Sequence, residues 1–204
     1  MTRRNPTARQ AALLEELLGI FLAEGFADTT LDDFAARLRC SKSTLYALAP
    51  SKEQLARKVV GHFFRCATER VEKRVALATD ARASIAAYLE GAATEMTVAS
   101  PAFIADVAAF APTRAVYERN AKAAAERIRE FIRAGVAEGL FRDVHAPLVA
   151  EMAGWLIEGI QTGVLGHRAG VSDGEAFTAL ADLLLDGLNR SQGGIDSVKT
   201  QLRL

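Results

Sequence analysis

The sequence predicts an all-α fold of about nine helices, and three observations support this prediction. Apolar residues recur at positions i, i+3, i+4 and i+7 in segment after segment, as on one face of an α-helix. No sustained stretch alternates polar with β-branched residues, as a half-buried strand would. The prolines fall at or near the breaks between helical segments, where a missing N–H group costs least; they are Pro6, Pro50, Pro101, Pro112 and Pro147.

The composition is that of a globular chain of ordinary size. Its 204 residues are 50% hydrophobic and 25% charged, and 25 basic residues balance 25 acidic ones. The two cysteines, Cys40 and Cys66, exclude a disulfide scaffold and favour a reducing compartment. The basic start of the chain has no apolar stretch behind it, and the longest run without a charged residue or histidine, residues 96–105, is too short to span a bilayer. We therefore expect a cytoplasmic protein that makes no membrane contact.

The N-terminal quarter predicts three short helices and then a long one. The first helix ends at Gly25, a residue suited to a C-cap. Thr30 and Ser41 are suited to cap the second and third helices, and an S-x-x-Q capping box at Ser51 starts the fourth. Three short helices around one core, with a tight turn between the second and third, are typical of a helix-turn-helix. The predicted ranges are 7–24, 31–38, 42–48 and 52–77.

The charge distribution adds modest support for a contact with nucleic acid. Residues 1–60 hold nine basic and seven acidic side chains, a net charge of +2, whereas residues 61–204 hold sixteen and eighteen, a net charge of −2. The basic side chains of the first segment stand at helix starts and on the N-terminal arm, where phosphate groups are commonly bound.

Residues 13–57 carry an ordered set of motifs. Its parts are Phe21-Leu22-Ala23-Glu24-Gly25-Phe26-Ala27-Asp28-Thr29-Thr30, Phe34-Ala35, Ser41-Lys42-Ser43-Thr44-Leu45-Tyr46 and Ser51-Lys52-Glu53-Gln54-Leu55. In order and spacing they resemble the DNA-binding region of tetracycline-repressor (TetR) family regulators. The resemblance implies a homodimeric, all-helical bacterial regulator. It places a helix-turn-helix DNA-binding domain at residues 1–52 and a helical ligand-binding and dimerisation domain at residues 53–204.

The residues expected to contact DNA stand at the starts of the second, third and fourth helices. A recognition helix presents its first turn to base edges, while helix N-termini and basic side chains hold phosphates. Leu45 and Leu48 point inward, which leaves the polar side chains of the third helix on its outer face. Each candidate also has a purely structural interpretation, as a helix cap, a half-buried ring or a solvated charge. The candidates are Thr30, Ser41, Lys42, Ser43, Thr44, Tyr46 and Lys52.

Two segments depart from the family pattern. Between the second and third helices the family usually has Ala-Gly-Val, whereas this chain has Leu38-Arg39-Cys40. Arg39 therefore stands where a glycine would ease a positive φ angle, and we expect strain there. After Tyr46 the family often continues with aromatic or histidine residues, whereas Ala47-Leu48-Ala49 follows here and removes a phosphate donor.

Five further helices are predicted at residues 81–98, 102–109, 113–138, 148–166 and 174–190. The last two are apolar on more than one face, so both of their sides must be covered. The second cover is expected to be another protomer, which gives a four-helix interface; the alternative is that both helices are central in a monomer. The expected interface residues are Met152, Trp155, Leu156, Gly159, Phe177, Leu180, Leu184 and Leu188.

The alanine-rich helices between residues 81 and 138 predict a cavity for a small, largely apolar or aromatic molecule, since small side chains leave space between larger ones. Aromatic residues and methionine at helical spacing are equally ordinary core residues, and that alternative stays open. The candidate pocket residues are Tyr88, Met96, Phe103, Phe110, Tyr117 and Trp155.

An enzyme is not expected. His62, His145 and His167 stand in no metal-binding spacing, and the chain has no nucleophile elbow, P-loop or dinucleotide-binding glycine motif. No cofactor or metal is therefore predicted. The predicted function is a sequence-specific DNA-binding transcriptional regulator, a repressor that a small-molecule effector releases from a palindromic operator. The alternative is a helical ligand-binding or scaffold protein that does not bind DNA, and salt-dependent binding to a palindromic duplex separates the two.

Overall fold

Ten helices make up the part of the chain that the computed structural model describes, residues 8–189. Within that range there is no β-strand, only an isolated bridge between Phe141 and Asn189, which confirms the predicted all-α fold. None of these helices combines the length and the hydropathy needed to cross a bilayer. The helices are α1 (Ala8–Glu24), α2 (Leu31–Arg37), α3 (Lys42–Leu48), α4 (Lys52–Val75), α5 (Ala81–Met96), α6 (Pro101–Ala109), α7 (Ala111–Ala137), α8 (Ala146–Gln161), α9 (Val164–Ala169) and α10 (Asp173–Leu188).

Helices α1, α2 and α3 surround a small aromatic core. The ring of Phe21 in α1 stacks on that of Phe26 with centroids 4.7 Å apart, and it lies 5.3 Å from the ring of Phe34 in α2. Leu45 of α3 is fully buried in the same core. Gly25 takes a left-handed φ of 79° after α1, which turns the chain so that Phe26 folds back onto the helix.

Helix α4 joins this three-helix unit to the larger helical body. Its apolar face is buried along the whole helix, from Leu55 near its start to Val75 at its end. In the larger body α4 packs on α5 and α7, α7 packs on α8, and α10 packs mainly on α5. The ring of Phe63 in α4 meets that of Phe103 in α6 edge-on at 5.5 Å, so the cores of the two parts are continuous.

The predicted single helix over residues 148–166 is wrong, because the structure has two helices there. Helix α8 ends at Gln161, and its C-cap residue Thr162 donates its hydroxyl to the carbonyl oxygen of Glu158 at 2.8 Å. Gly163 then takes a φ of 71°, and a left-handed residue cannot continue a right-handed helix. The end of the predicted 174–190 helix and the basic N-terminal arm fall partly or wholly outside the described residues.

Candidate functional site

Side-chain caps fix the starts of α2 and α3. The Thr30 hydroxyl accepts the Asp33 backbone N–H at 3.2 Å, and the Asp33 carboxylate accepts the Thr30 N–H at 3.0 Å, which completes a capping box. The Thr30 hydroxyl also donates to the Asp33 carboxylate at 2.6 Å, and this bond, together with the one from the Thr30 N–H, lowers the pKa of the Asp33 carboxyl. The Ser41 hydroxyl accepts the Thr44 N–H at 3.2 Å and lies 2.8 Å from the hydroxyl of Ser43. The predicted caps are therefore confirmed as caps.

The turn between α2 and α3 contains the strain that its sequence predicts. Arg39 has a φ of 49°, and among the described residues it is the one non-glycine residue with a positive φ. The turn is nevertheless closed by backbone hydrogen bonds, from the N–H of Arg39 to Ala36 at 3.1 Å and from that of Cys40 to Ala35 at 3.0 Å. Because these bonds set the angle between the two helices, the turn keeps its geometry in spite of the unfavourable residue.

Replacing Arg39 with glycine is expected to raise the free energy of unfolding by about 0.5–1 kcal/mol, because glycine adopts a positive φ without a clash of its Cβ atom. Urea unfolding followed by circular dichroism measures the change. The matched control is Ala36→Gly in the exposed part of α2, which is expected to lower the stability by about 1 kcal/mol. A loss of stability in Arg39→Gly would contradict the strain.

The outer face of α3 is exposed and polar. Leu45 and Leu48 are buried, whereas Lys42, Ser43 and Tyr46 are exposed, with 48% of Tyr46 accessible. The Tyr46 ring is not part of the hydrophobic core, so core packing does not explain why an aromatic residue stands at this position. The face therefore offers one ammonium, several hydroxyls and one ring to an external partner.

Lys42 and Lys52 already have intramolecular partners. The Lys42 ammonium lies 2.5 Å from the Asp32 carboxylate in α2, and this hydrogen bond and charge raise the pKa of Lys42. The Lys52 ammonium donates to the carbonyl oxygen of Ala27. Lys42 is the first residue of α3 and Lys52 reaches the loop just before α2. Nothing in the sequence near Lys42 indicates that Asp32 competes for it. A phosphate would have to exchange with these partners.

Asp106 of α6 connects the larger body to the three-helix unit, and sequence reasoning missed it. Its carboxylate accepts the backbone N–H groups of Phe26 at 2.5 Å and Ala27 at 2.8 Å. Next to it, the Ser100 N–H donates to the Leu22 carbonyl oxygen at 2.8 Å. A Cβ atom on Gly25 would meet the same Asp106 oxygen at 2.5 Å, so only glycine fits this contact. These contacts hold the end of α1 against the start of α6.

Two small cavities, both partly open to solvent, lie between the helices of the larger body. The first has a volume of about 40 Å³ and is enclosed mainly by α4, α5 and α7, with Tyr88 and Met96 in its wall. The second has a volume of about 10 Å³ and is lined by Phe103, Tyr117 and again Met96. Burial raises the pKa of the Tyr88 phenol to about 12, so this group is uncharged at neutral pH. Four of the six candidate pocket residues thus line a cavity.

Phe110 and Trp155 line neither cavity, which corrects the expectation for both. Phe110 lies at the junction of α6 and α7, where its ring meets that of Phe26 edge-on at 6.0 Å. Trp155 is 74% exposed, because α8 turns Ala153 and Ile157 inward and thereby directs Trp155 outward. It borders an open groove between α7 and α8 instead.

In the structure, some residues of the expected dimer interface are buried within the protomer and others are exposed. The stripe on α10 is buried within the protomer, where α10 packs on α5, so it is core rather than surface. Gly159 abuts the Leu165 side chain of α9, and Leu156 is half-buried. Met152 and Trp155 remain exposed, together with Leu183, which is 64% exposed and was not among the predicted residues. The interface prediction is therefore wrong for the buried residues of this stripe, which are Phe177, Leu180, Leu184 and Leu188.

The described residues contain no group of three or more His, Cys, Asp or Glu side chains that could hold a metal ion.

Residues 13–59 match the family model described as bacterial regulatory proteins, tetR family. No curated protein matches the chain in sequence.

Several solved structures are similar to nearly the whole chain. A transcriptional regulator from Saccharomonospora viridis in complex with choline is 20% identical, covers 91% of this chain and 100% of its own, and has a TM-score of 0.74. A TetR transcription regulator from Haloarcula marismortui is 16% identical with the same coverage and a TM-score of 0.76. The TetR family regulator PfmR from Thermus thermophilus is 25% identical, covers 87% of this chain and 99% of its own, and has a TM-score of 0.60. The first two similarities show a shared fold.

Proposed function

We propose that this chain, whose residues 13–59 match the tetR family of bacterial regulatory proteins, is a DNA-binding transcriptional regulator of that family and a homodimeric repressor which a small effector releases from a palindromic operator. The DNA-binding domain would comprise residues 1–52, and residues 53–204 would bind the effector and form the dimer.

The outer face of α3 carries this proposal. Its apolar residues are buried and its polar residues are exposed, as expected of a helix that enters the major groove. Ser43 and Tyr46 would meet base edges, because they lie on the exposed side of the helix. Lys42, Lys52 and the capped start of α2 at Thr30 would hold the flanking phosphates.

The exposed apolar residues of α8 and α10 support the homodimer. Met152, Trp155 and Leu183 are large, exposed and uncharged, and a second protomer would remove them from water. Two copies would place their α3 helices about 34–36 Å apart, or a multiple of that distance, to match successive turns of the duplex.

The two cavities support an effector site in the larger body. Their walls are mostly apolar and aromatic, which suits a largely apolar or aromatic molecule, and the similar S. viridis regulator holds choline. Helix α6 would couple this site to DNA, since Phe103 faces the smaller cavity while Asp106 holds the loop at Phe26. An effector that prefers one position of α6 would then change operator affinity, and by linkage DNA would change effector affinity equally.

Selection of bound duplexes from a random pool is expected to return a two-fold repeat, which then serves as the operator. Replacing Lys42 and Lys52 with glutamine is expected to weaken binding to operator and to other duplexes alike. It should also lower the slope of log affinity against log salt by about 2, that is ~0.9 per phosphate contact. Titrations at several salt concentrations measure both effects.

The matched control for this experiment is Lys122→Gln, an exposed lysine on α7 that should leave the salt slope unchanged. Unfolding curves of all variants separate lost contacts from lost structure. An unchanged salt slope in the Lys42/Lys52 variant would contradict the proposed orientation of α3. Absence of any selected duplex would instead favour a helical ligand-binding or scaffold protein.

A further inference from the structure

Glu95 of α5 is, among the described residues, the one charged residue that is buried. Its side chain is 11% exposed and forms part of the wall of the 40 Å³ cavity. The guanidinium group of Arg70 in α4 binds both carboxylate oxygens, with Nε at 2.9 and 3.0 Å and Nη2 at 2.5 Å. The pair therefore joins α4 to α5 beside the cavity.

The two members of this pair are placed differently. Glu95 borders the cavity, whereas Arg70 is not in its wall and its side chain is 52% exposed on the outside. No lysine or arginine lines the cavity, so the Glu95 carboxylate is the one charged group there. Glu95 thus lines the cavity, while both of its carboxylate oxygens are bound by a guanidinium group that lies outside the cavity wall.

Aromatic rings form much of the remaining wall. Phe63 and Phe64 come from α4, Tyr88 from α5 and Phe177 from α10. The faces of such rings attract cations, and the attraction is stronger where water is excluded. The uncharged Tyr88 phenol adds a polar group without adding a competing charge.

We propose that the effector is an organic cation with an apolar body, and that its cationic group replaces the Arg70 guanidinium on Glu95. This inference rests on the proposed effector site. A buried carboxylate must stay paired, so the incoming cation can take over the role of Arg70, whereas an anion would be repelled and an uncharged molecule would gain nothing from Glu95.

The exchange of Arg70 for the effector cation also couples the effector site to the DNA-binding face. The cavity is smaller than such a molecule, so α4 and α5 must separate for it to enter. Release of Arg70 removes one of the connections between these two helices. Because α4 begins directly after α3, a shift of α4 would move the proposed DNA-binding face.

The test compares three probes of similar size by calorimetry: the cation phenyltrimethylammonium, its uncharged isostere tert-butylbenzene, and the anion benzenesulfonate. The wild-type protein is expected to bind the cation at least about tenfold more tightly than the isostere. In Glu95→Gln this preference should fall to about threefold, the part that the aromatic rings supply. Arg70→Gln should bind the cation at least about threefold more tightly than the wild type does, because the internal competitor is gone.

The control variant is Arg127→Gln, which breaks a comparable bidentate pair between α7 and Glu72 of α4 and should leave the cation preference unchanged. Melting curves identify any variant that is unfolded, and Glu95→Gln tests the proposal independently of Arg70→Gln. Equal affinity for cation and isostere, or weaker cation binding in Arg70→Gln, overturns the inference. If the isostere alone binds and releases the operator, the proposed effector site is supported and the proposed cationic effector is contradicted. If no probe binds, both proposals are contradicted.

Discussion

Replacing both Trp155 and Leu183 with aspartate is expected to convert the protein to monomers and to weaken operator binding by at least about a hundredfold. Both side chains are large and exposed, on helices that pack against each other. An unpaired carboxylate within an apolar interface is strongly unfavourable. Two linked half-site contacts typically exceed either one by about 10²–10⁴, and a monomer loses this advantage. Sedimentation equilibrium and operator titration measure the two effects.

The matched control for the dimer prediction is Leu77→Asp. Leu77 is 84% exposed just after α4, outside the proposed interface, so its replacement should change neither mass nor affinity. Circular dichroism should show wild-type helicity in both variants, since none of the replaced side chains is buried. A double variant that remains dimeric would place the interface on another surface.

Replacing Asp106 with alanine is expected to lower the free energy of unfolding by about 2–3 kcal/mol, because the N–H groups of Phe26 and Ala27 lose a charged acceptor. Asp106→Asn retains one acceptor oxygen and should cost about half as much. Denaturant unfolding measures both values. Operator affinity should fall as well, since the loop that follows α1 is no longer held against α6.

Asp182→Ala is the matched control for this carboxylate, because Asp182 is exposed on α10 and far from the loop in sequence. It should alter stability by less than about 0.5 kcal/mol. If Asp106→Ala unfolds at the wild-type denaturant concentration, the carboxylate does not hold the two parts of the protein together, and the coupling through α6 would need another contact.

The local features of the fold could be predicted from the sequence because they depend on neighbouring residues. The caps at Thr30, Ser41 and Ser51 are each formed with a residue three positions further along the chain. The positive φ of Arg39 follows from the family resemblance, because TetR-family regulators usually have a glycine at this position. The contact of the outer face of α3 with DNA remains a prediction.

Features that depend on distant packing could not be predicted in this way. Helix α10 has apolar residues on two sides, and its own pattern does not say which side meets α5 and which stays exposed. The sequence therefore predicts the stripe at Phe177 as a dimer interface, whereas the structure buries it against α5 and leaves Leu183 exposed. Asp106 acts on a loop eighty residues earlier in the chain, and nothing in the adjacent sequence indicates it.

The pairing of Lys42 with Asp32 bears on how the regulator searches a genome. Most duplex that it meets is not operator, and a fully available ammonium would bind any of it through the phosphates. In the proposed binding mode the Asp32 carboxylate of α2 would compete with any phosphate for Lys42, whether or not the duplex is the operator. Exchange of this exposed pair would therefore reduce the affinity for operator and for unrelated duplex alike, and the base contacts of α3 would have to supply the discrimination.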